Sequence, residues 1–576
     1  MEDDYKSENF YNMDRFFNAW QGKVTSGIPP TSMMLAYFDW AIHVANAPGK
    51  QWEIMMDTLK KSIQCSTYPA LSAFLSDTDI KPPFPEDSRF SGEEWQKWPY
   101  NMIYQYFLLI QHWWEKATIN VPGVSPHHQD MVSYAARQLL DILAPSNFVL
   151  TNPEVLRVTM EQGGRNLVRG LLNFLEDRQR AEGRPPAGTE DFRVGETLAV
   201  TPGKVIFRNR LIELIQYSPA TEEVYAEPVL IVPAWIMKYY ILDLSPHNSL
   251  IRYLVDQGHT VFMISWKNPG EADRDLGMDD YLTLGVMAAV NAAATLLPDR
   301  LIHAVGYCVG GTLLTVAAAA MSQEGYERLR TMTLLATQID FTETGELSLF
   351  VDEGQLNGLE DVMREKGCPG SGQMASAFHL LRSNDLIWSR IIHDYLMGER
   401  QQMSDLLSWN ADVARVPARM HSEYLKRLFL GNDLSEGRYM LDGRTIAVSD
   451  ILMPVFLTAA VNDHVAPWRS VYKFHLLSGA EEVTFALTNG GHNAGIVSPP
   501  DHPRRTCQLS VRKRGEKYVD PDVWLKTAPA DEGSWWIQWQ EWLANRSSGM
   551  TSPPSVGSAE KGFQPICDAP GTYVLM

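Results

Sequence analysis

Residues 301–314 read LIHAVGYCVGGTLL, an apolar run that enters Gly306-Tyr307-Cys308-Val309-Gly310-Gly311 and leaves in small residues. This is the layout of a nucleophile elbow, with cysteine where serine is commoner. The nucleophile of an elbow sits on a tight strand-to-helix turn, so the residues two before and two after it must lack side chains. Gly306 and Gly310 meet that need. The N-terminus of the following helix points free N–H groups and a positive dipole end at the sulfur, which favours thiolate. The N–H of Val309 can then face a developing oxyanion. A thiol with an ordinary pKa of about 8.5 also needs a base to attack near neutrality. The elbow layout supplies an acid and then a histidine, each from a loop after a later strand. Asp463 follows the apolar run Pro454–Ala460, and His492 follows Val483–Leu487. Cys308, Asp463 and His492 together are a set for nucleophilic acyl transfer. Singly, each has a plainer reading: a buried structural thiol, a helix cap, a turn histidine. Their order on the ends of apolar runs is what joins them. A second oxyanion amide is expected from the loop after an early strand, and Val232–Met237 is the candidate.

Such a site needs a sheet whose strands end on one side. Pro228–Pro233, Thr260–Trp266, Leu301–Cys308, Met332–Ile339, Pro454–Ala460 and Val483–Leu487 read as buried strands, and Lys204–Tyr217 as β-type. Helical segments such as Asp279–Ala294 and Gly310–Met321 lie between most of them. Strands alternating with helices predict an α/β fold with a mainly parallel sheet covered on both faces. The alternation fails between Asp340 and Ser449, so residues of about 341–449 are expected to form a helical lid insertion above the sheet. Residues 1–180 read as a helical N-terminal domain, with apolar residues at helical spacing in Asp14–Trp20 and Ser32–Asn46 and an aromatic-rich stretch at Trp98–Ala117. Residues 181–191, with two prolines and two glycines, read as a linker. That leaves 192–545 as the catalytic domain and 546–576, Ser/Gly/Pro-rich at its start, as a mobile tail. The tryptophans of Trp535–Trp542 predict a helix sealed on the core. Arg504-Arg505 and Arg512-Lys513-Arg514 read as a solvated loop, and His127-His128, lacking a third ligand, as a solvated turn.

Composition narrows the function classes. Fifty basic residues against 69 acidic ones give a net charge of −19, which argues against nucleic acid and against an anionic membrane surface. The five cysteines, at 65, 308, 368, 507 and 567, form neither a disulfide framework nor a C-x-x-C pattern, which fits a reducing cytoplasm. The N-terminus is acidic rather than signal-like, and the longest mainly apolar stretch, Gly285–Leu297, is too short for a transmembrane segment. No metal spacing, dinucleotide fingerprint or phosphate loop occurs, so neither metal nor cofactor is expected.

Longer motifs add a resemblance. PSNFVLTNPEVL (Pro145–Leu156), LIVPAWIMKYYILDLSP (Leu230–Pro246), GHTVFMISWKNPG (Gly258–Gly270), LLRSNDLIW (Leu380–Trp388) and DLLSWNAD (Asp405–Asp412) are of this kind. DHVAPWRSVYK (Asp463–Lys473), GGHNAGIV (Gly490–Val497) and GSWWIQWQEWL (Gly533–Leu543) join them. With the Gly306–Gly311 box, they make the chain similar to polyhydroxyalkanoate synthases, most like the single-subunit class I kind. The resemblance covers roughly residues 90–545. It implies an α/β-hydrolase fold and the polymerisation of (R)-3-hydroxyacyl-CoA into polyester with release of CoA. It also implies Cys308 as covalent nucleophile, His492 as general base, Asp463 as catalytic aspartate and the Ile236 amide as second oxyanion donor beside Val309. Met237 departs from the asparagine that often follows the Trp-Ile pair in the family. The resemblance further implies a homodimer in the cytoplasm, at the surface of polyester granules with a growing chain and granule-associated proteins as neighbours. The alternative on the same fold is a thioesterase or polyester depolymerase. A rival of another class is a catalytically silent granule-surface protein.

Overall fold

The computed structural model describes residues 30–74, 83–84, 87–180, 185–345, 349, 351, 356 and 387–576. Two compact units divide the chain: Met1–Ala187 with Gln373–Gln402, and Gly188–Gly372 with Met403–Met576. The boundary at Ala187 falls inside the stretch read as a linker.

The first unit is helical where it is described. Its longer helices span Pro30–Ala45, Pro48–Phe74, Tyr100–Thr118, Pro126–Ile142, Pro153–Glu161 and Arg165–Arg180. Ser125 and Asn152 start two of them by accepting backbone N–H groups of the first turn, which those groups otherwise lack. Phe90, Trp95, Tyr104 and Phe107 form an aromatic core. His127-His128 is not a solvated turn. It opens the helix Pro126–Ile142, and His128 Nδ1 lies 2.7 Å from Asp39 Oδ2. The helix expected at Asp14–Trp20 lies outside the described residues.

The expected lid is not one block. Residues 387–402 pack in the first unit, where Asn166 donates to the Leu396 carbonyl at 2.8 Å and Arg400 meets Asp177 at 2.7 Å. A Cβ on Gly170 would stand 1.7 Å from the Tyr395 carbonyl oxygen, so helix and segment meet backbone to backbone. Long-range packing of this kind leaves no local mark in sequence. Residues 346–348, 350, 352–355 and 357–386 of the expected lid lie outside the described residues.

The second unit is built on one large sheet. β1 (Gly203–Arg208) and β2 (Ile212–Tyr217) are antiparallel, and β3 (Val224–Tyr225) stands outside the main sheet. β4 (Val229–Val232), β5 (Val261–Trp266), β6 (Ile302–Tyr307) and β7 (Leu329–Leu335) follow. A hairpin, β8 (Tyr439–Leu441) with β9 (Arg444–Ile446), precedes β10 (Val455–Ala460) and β11 (Glu482–Thr488). β12 (Thr506–Lys513), β13 (Ala530–Glu532), β14 (Met550–Thr551) and β15 (Cys567–Asp568) complete the set. The order across the sheet is β13-β12-β11-β10-β7-β6-β4-β5-β2-β1-β15. The six strands from β11 to β5 run parallel, and both flanks are antiparallel. β4, β5, β6 and β10 are buried at every residue, as strands covered on both faces must be, which explains their unbroken apolar runs. Trp535, Trp536 and Trp539 of the helix Trp535–Ala544 are buried against this core, and Trp539 Nε1 donates to Thr333 Oγ1 on β7.

Two expectations need correction. Arg512 and Lys513 are not loop residues; they lie on β12, whose mixed exposure suits a flanking antiparallel strand. Residues 546–576 are not a loose tail. β14 pairs with β3, β15 pairs with β1, and Tyr573 and Val574 are buried. The anchor is Glu213 of β2, a buried carboxylate that accepts from the Thr572 and Tyr573 N–H groups and pairs with Arg208. The stretch that suggested mobility is held by partners over three hundred residues away: Ser547 Oγ and Ser548 N–H donate to Glu227, and Gly557 N–H donates to Gln216 Oε1.

Candidate active site

β6 ends at Tyr307, and the helix Val309–Gln323 begins directly after Cys308. Between them Cys308 adopts φ 53°, ψ −129°, a conformation few side-chain-bearing residues take. The surroundings hold it there. Cys308 N–H donates to the Leu335 carbonyl at 2.8 Å, and its own carbonyl accepts from Gly311 N–H at 2.9 Å and Thr337 Oγ1 at 3.1 Å. The glycines leave no room for substitution. A Cβ on Gly306 would meet Gly311 Cα at 2.3 Å, one on Gly310 the Pro233 carbonyl oxygen at 2.4 Å, and one on Gly311 Thr337 Oγ1 at 2.0 Å. Val309 is the first residue of the helix, a position whose N–H finds no acceptor within the helix itself.

Asp463 lies just beyond β10 and His492 just beyond β11, a neighbouring parallel strand. His492 Nδ1 is 2.7 Å from Asp463 Oδ2, and the two side chains are 4% and 0% exposed. A carboxylate only accepts, so Nδ1 carries the proton. Asp463 Oδ1 accepts from the N–H groups of Val465, at 2.8 Å, and Ala466, at 2.9 Å. His492 Nε2 is left buried without a conventional hydrogen-bond partner among the described residues, and Cys308 is the group close enough to act on it. Burial opposes charge on this imidazole, but Asp463 and the Cys308 sulfur outweigh burial and hold its pKa well above the ordinary histidine value. The arrangement places a base where it can accept a proton from the thiol.

The loop Val232–Met237 reaches the elbow, since Gly310 packs against the carbonyls of Val232 and Pro233. Trp266 Nε1 donates to Pro233 O at 2.9 Å, and Trp235 packs on Tyr281 and Tyr424. Met237 makes an antiparallel bridge with Val413, a backbone contact open to any side chain. Ile236 lies in the turn between them.

The family model described as poly-beta-hydroxybutyrate polymerase (PhaC) N-terminus matches residues 86–254. One described as poly-beta-hydroxybutyrate polymerase N terminal matches 8–50, and the alpha/beta hydrolase fold matches 227–499. A poly(3-hydroxyalkanoate) polymerase from Methylorubrum extorquens is 40% identical over 519 residues, covering 89% of this chain and 85% of its own. This chain belongs to the poly(3-hydroxyalkanoate) polymerase family. The poly(3-hydroxyalkanoate) polymerase subunit PhaC of Rhizobium meliloti is 37% identical over 85% of this chain and 79% of its own. That of Cupriavidus necator is 35% identical over 85% and 83%.

In this family member, three residues that the sequence did not flag shape the site. Tyr307 stacks on the His492 ring at 5.8 Å and donates to Asn493 Oδ1 at 2.6 Å. Arg505, read as solvated, is half-buried and ties down the histidine loop by donating to the Ala494 and Asn489 carbonyls at 2.6 and 3.3 Å. Tyr424, from the second unit's part of the expected lid, is near enough to Cys308 that burial and the sulfur together raise its hydroxyl pKa well above the ordinary value. Tyr307 stands inside the elbow box, but nothing local in sequence distinguishes Arg505 or Tyr424. Among the described residues, no helix is long and apolar enough to cross a membrane.

Proposed function

We propose that this chain polymerises (R)-3-hydroxyacyl-CoA into polyester through a covalent acyl-Cys308 intermediate. The observation that carries this reading is the placement of His492. One nitrogen is engaged by Asp463 and the other is buried beside a cysteine on a strained elbow, in a chain of the polymerase family. His492 takes the Cys308 proton, and the thiolate attacks the thioester carbonyl. The tetrahedral oxyanion is held by the N–H of Val309 and that of Ile236. As it collapses, the C–S bond to CoA breaks, CoA leaves as a thiol with the proton from His492, and the acyl group stays on Cys308. The 3-hydroxyl of another unit then attacks an acyl thioester, forming an ester and returning the thiol. A thiol nucleophile suits this exchange because acyl-cysteine and acyl-CoA are close in energy.

The second step needs a base for the hydroxyl. Both oxygens of Asp463 are occupied, one by His492 and one by two backbone N–H groups. That favours His492 as the base in both steps, with Asp463 orienting the imidazole and stabilising its charge. The described part of the expected lid supplies Tyr424 near the sulfur, which supports a role for this segment in excluding water and shaping the acyl site. On this reading the protein works in the cytoplasm at the surface of its own product. A homodimer and granule-associated proteins follow from the family resemblance. The catalytic domain starts near residue 192.

The test is to give purified protein (R)-3-hydroxybutyryl-CoA and to follow thiol release and turbidity together, with Cys308→Ala alongside. Thiol release with growing insoluble polyester, both lost in the variant, is expected. Thiol release with only soluble 3-hydroxybutyrate would make the protein a thioesterase, and undiminished activity in Cys308→Ala would end the acyl-cysteine reading.

A further inference from the structure

Lys238 is a buried lysine with no Asp or Glu carboxylate at hydrogen-bond distance. Its side chain is 4% exposed, and the Asp412 carboxylate stands off at 3.9 Å. Its ammonium donates instead to two main-chain oxygens, the Val574 carbonyl at 2.6 Å and an oxygen of Met576, the last residue of the sequence, at 2.7 Å. An ammonium withdrawn from water is costly unless acceptors surround it, and burial pushes this one's pKa down. The chemistry at Cys308 makes no use of this group, so a structural reason is needed for its presence.

The reason lies in what meets at this point. Asn268 Nδ2 donates to the same Met576 oxygen at 3.0 Å, and its Oδ1 accepts from Arg415 N–H at 2.8 Å. The carbonyl of Lys238 accepts from Trp409 Nε1 at 2.9 Å. Met237, one residue earlier, bridges Val413. The tail that offers these oxygens is itself fixed through Glu213. Segments around 268, 409–415 and 574–576 therefore converge on residues 237 and 238. Two residues upstream of Lys238 is Ile236. On its other side the loop is fixed by the bond from Trp266 to Pro233. A backbone amide turns with its neighbours, so an N–H keeps its aim only if the chain on both sides is held. Misplacement by about 1 Å in an active site can cost about a hundredfold in rate.

We propose that Lys238, with the tail residues Val574–Met576, is a positioning element that aims the Ile236 N–H at the acyl oxyanion. This rests on the reading of Cys308 as the acyl acceptor. Lys238 holds the downstream flank of the loop, and the C-terminal segment is the post to which that flank is tied.

Two reactions of Cys308 separate this role from a general structural one. Alkylation by iodoacetamide needs the thiolate but no oxyanion donor. CoA release from (R)-3-hydroxybutyryl-CoA needs both. In Lys238→Met, kcat for CoA release falls at least tenfold with KM changed less than twofold, while the alkylation rate stays within twofold of the parent. In Asn268→Ala, which removes one of the two donors to Met576, the same split appears at about threefold. Equal loss of both rates, or no loss of CoA release, overturns the proposal. If Lys238→Met does not fold, as judged by its thermal melt, Asn268→Ala alone decides it by the same two rates. Failure of the underlying reading looks different, since Cys308→Ala would then still release CoA.

Discussion

The elbow and the loop Val232–Met237 face each other across the Gly310–Pro233 contact, yet they are held by opposite means. The elbow is built from one continuous stretch, with Leu335 and Thr337 as its partners from outside. Its strand, its strained residue, its three glycines and its helix are contiguous in the chain, and its close contacts include Gly306 against Gly311. The loop has almost no support of its own. Trp266, Val413, Trp409 and the C-terminal segment hold it from distant parts of the chain. The Asp463–His492 contact is intermediate: each residue lies just beyond its own strand, but the pairing depends on β10 and β11 lying side by side. The proposed nucleophile is thus encoded over a few residues, whereas the loop proposed to stabilise its transition state must be assembled.

That contrast can be broken from either side. Asp463→Asn, which leaves the elbow intact and disturbs the imidazole's tautomer and charge, is expected to lower acyl transfer by about 10⁴-fold while the fold persists. Steady-state CoA release together with circular dichroism measures this. A loss below tenfold would mean that the pairing matters little.

Acid should separate the site from its scaffold. His259, His303 and His475 are buried, and burial lowers their pKa values to about 3, about 4 and about 4. Lowered folded values mean that the unfolded chain binds these protons first. The stability they contribute is present above about pH 6.5 and lost as pH falls from there towards 4. At about 1.4 kcal/mol per unit, each costs about 1 to 2 kcal/mol by pH 5. His492 has the opposite sign. Its raised pKa gives stability that is present below the unfolded value and lost as pH rises through the folded one. A melting temperature clearly lower at pH 5 than at pH 7 is expected, and an unchanged one would refute the scaffold half of this pairing.

Gly310→Ala tests the contact between the two regions. The added methyl must displace the Pro233 carbonyl, at about 1–3 kcal/mol of stability and about a hundredfold in CoA release. Calorimetry and kinetics on one preparation would show both, and a wild-type rate would mean that the loop can retreat harmlessly. The smallest effect is expected from Trp266→Phe. It leaves Pro233 O without its indole donor, costs about 1 kcal/mol and slows CoA release a few-fold, with iodoacetamide alkylation of Cys308 unchanged. Slowed alkylation would show that the indole supports the elbow as well.

By itself the sequence determined the parallel sheet, the elbow at Cys308 and the order in which Asp463 and His492 follow it. Each of these is written in short-range terms: unbroken apolar runs for strands buried on both faces, glycines where a Cβ cannot fit, and candidate site residues just after strands. The arginines at 504–505 and 512–514 and the Ser/Gly/Pro-rich tail look in sequence like solvated segments, because their composition is all that is local about them. Only the tertiary structure decided that Arg505 braces the histidine loop and that residues 387–402 pack in the first unit. It alone also places the last residues of the chain on Lys238. The deciding partners include backbone carbonyls that lie from 11 to over three hundred residues away along the chain, and a backbone carbonyl carries no signature in the amino-acid sequence.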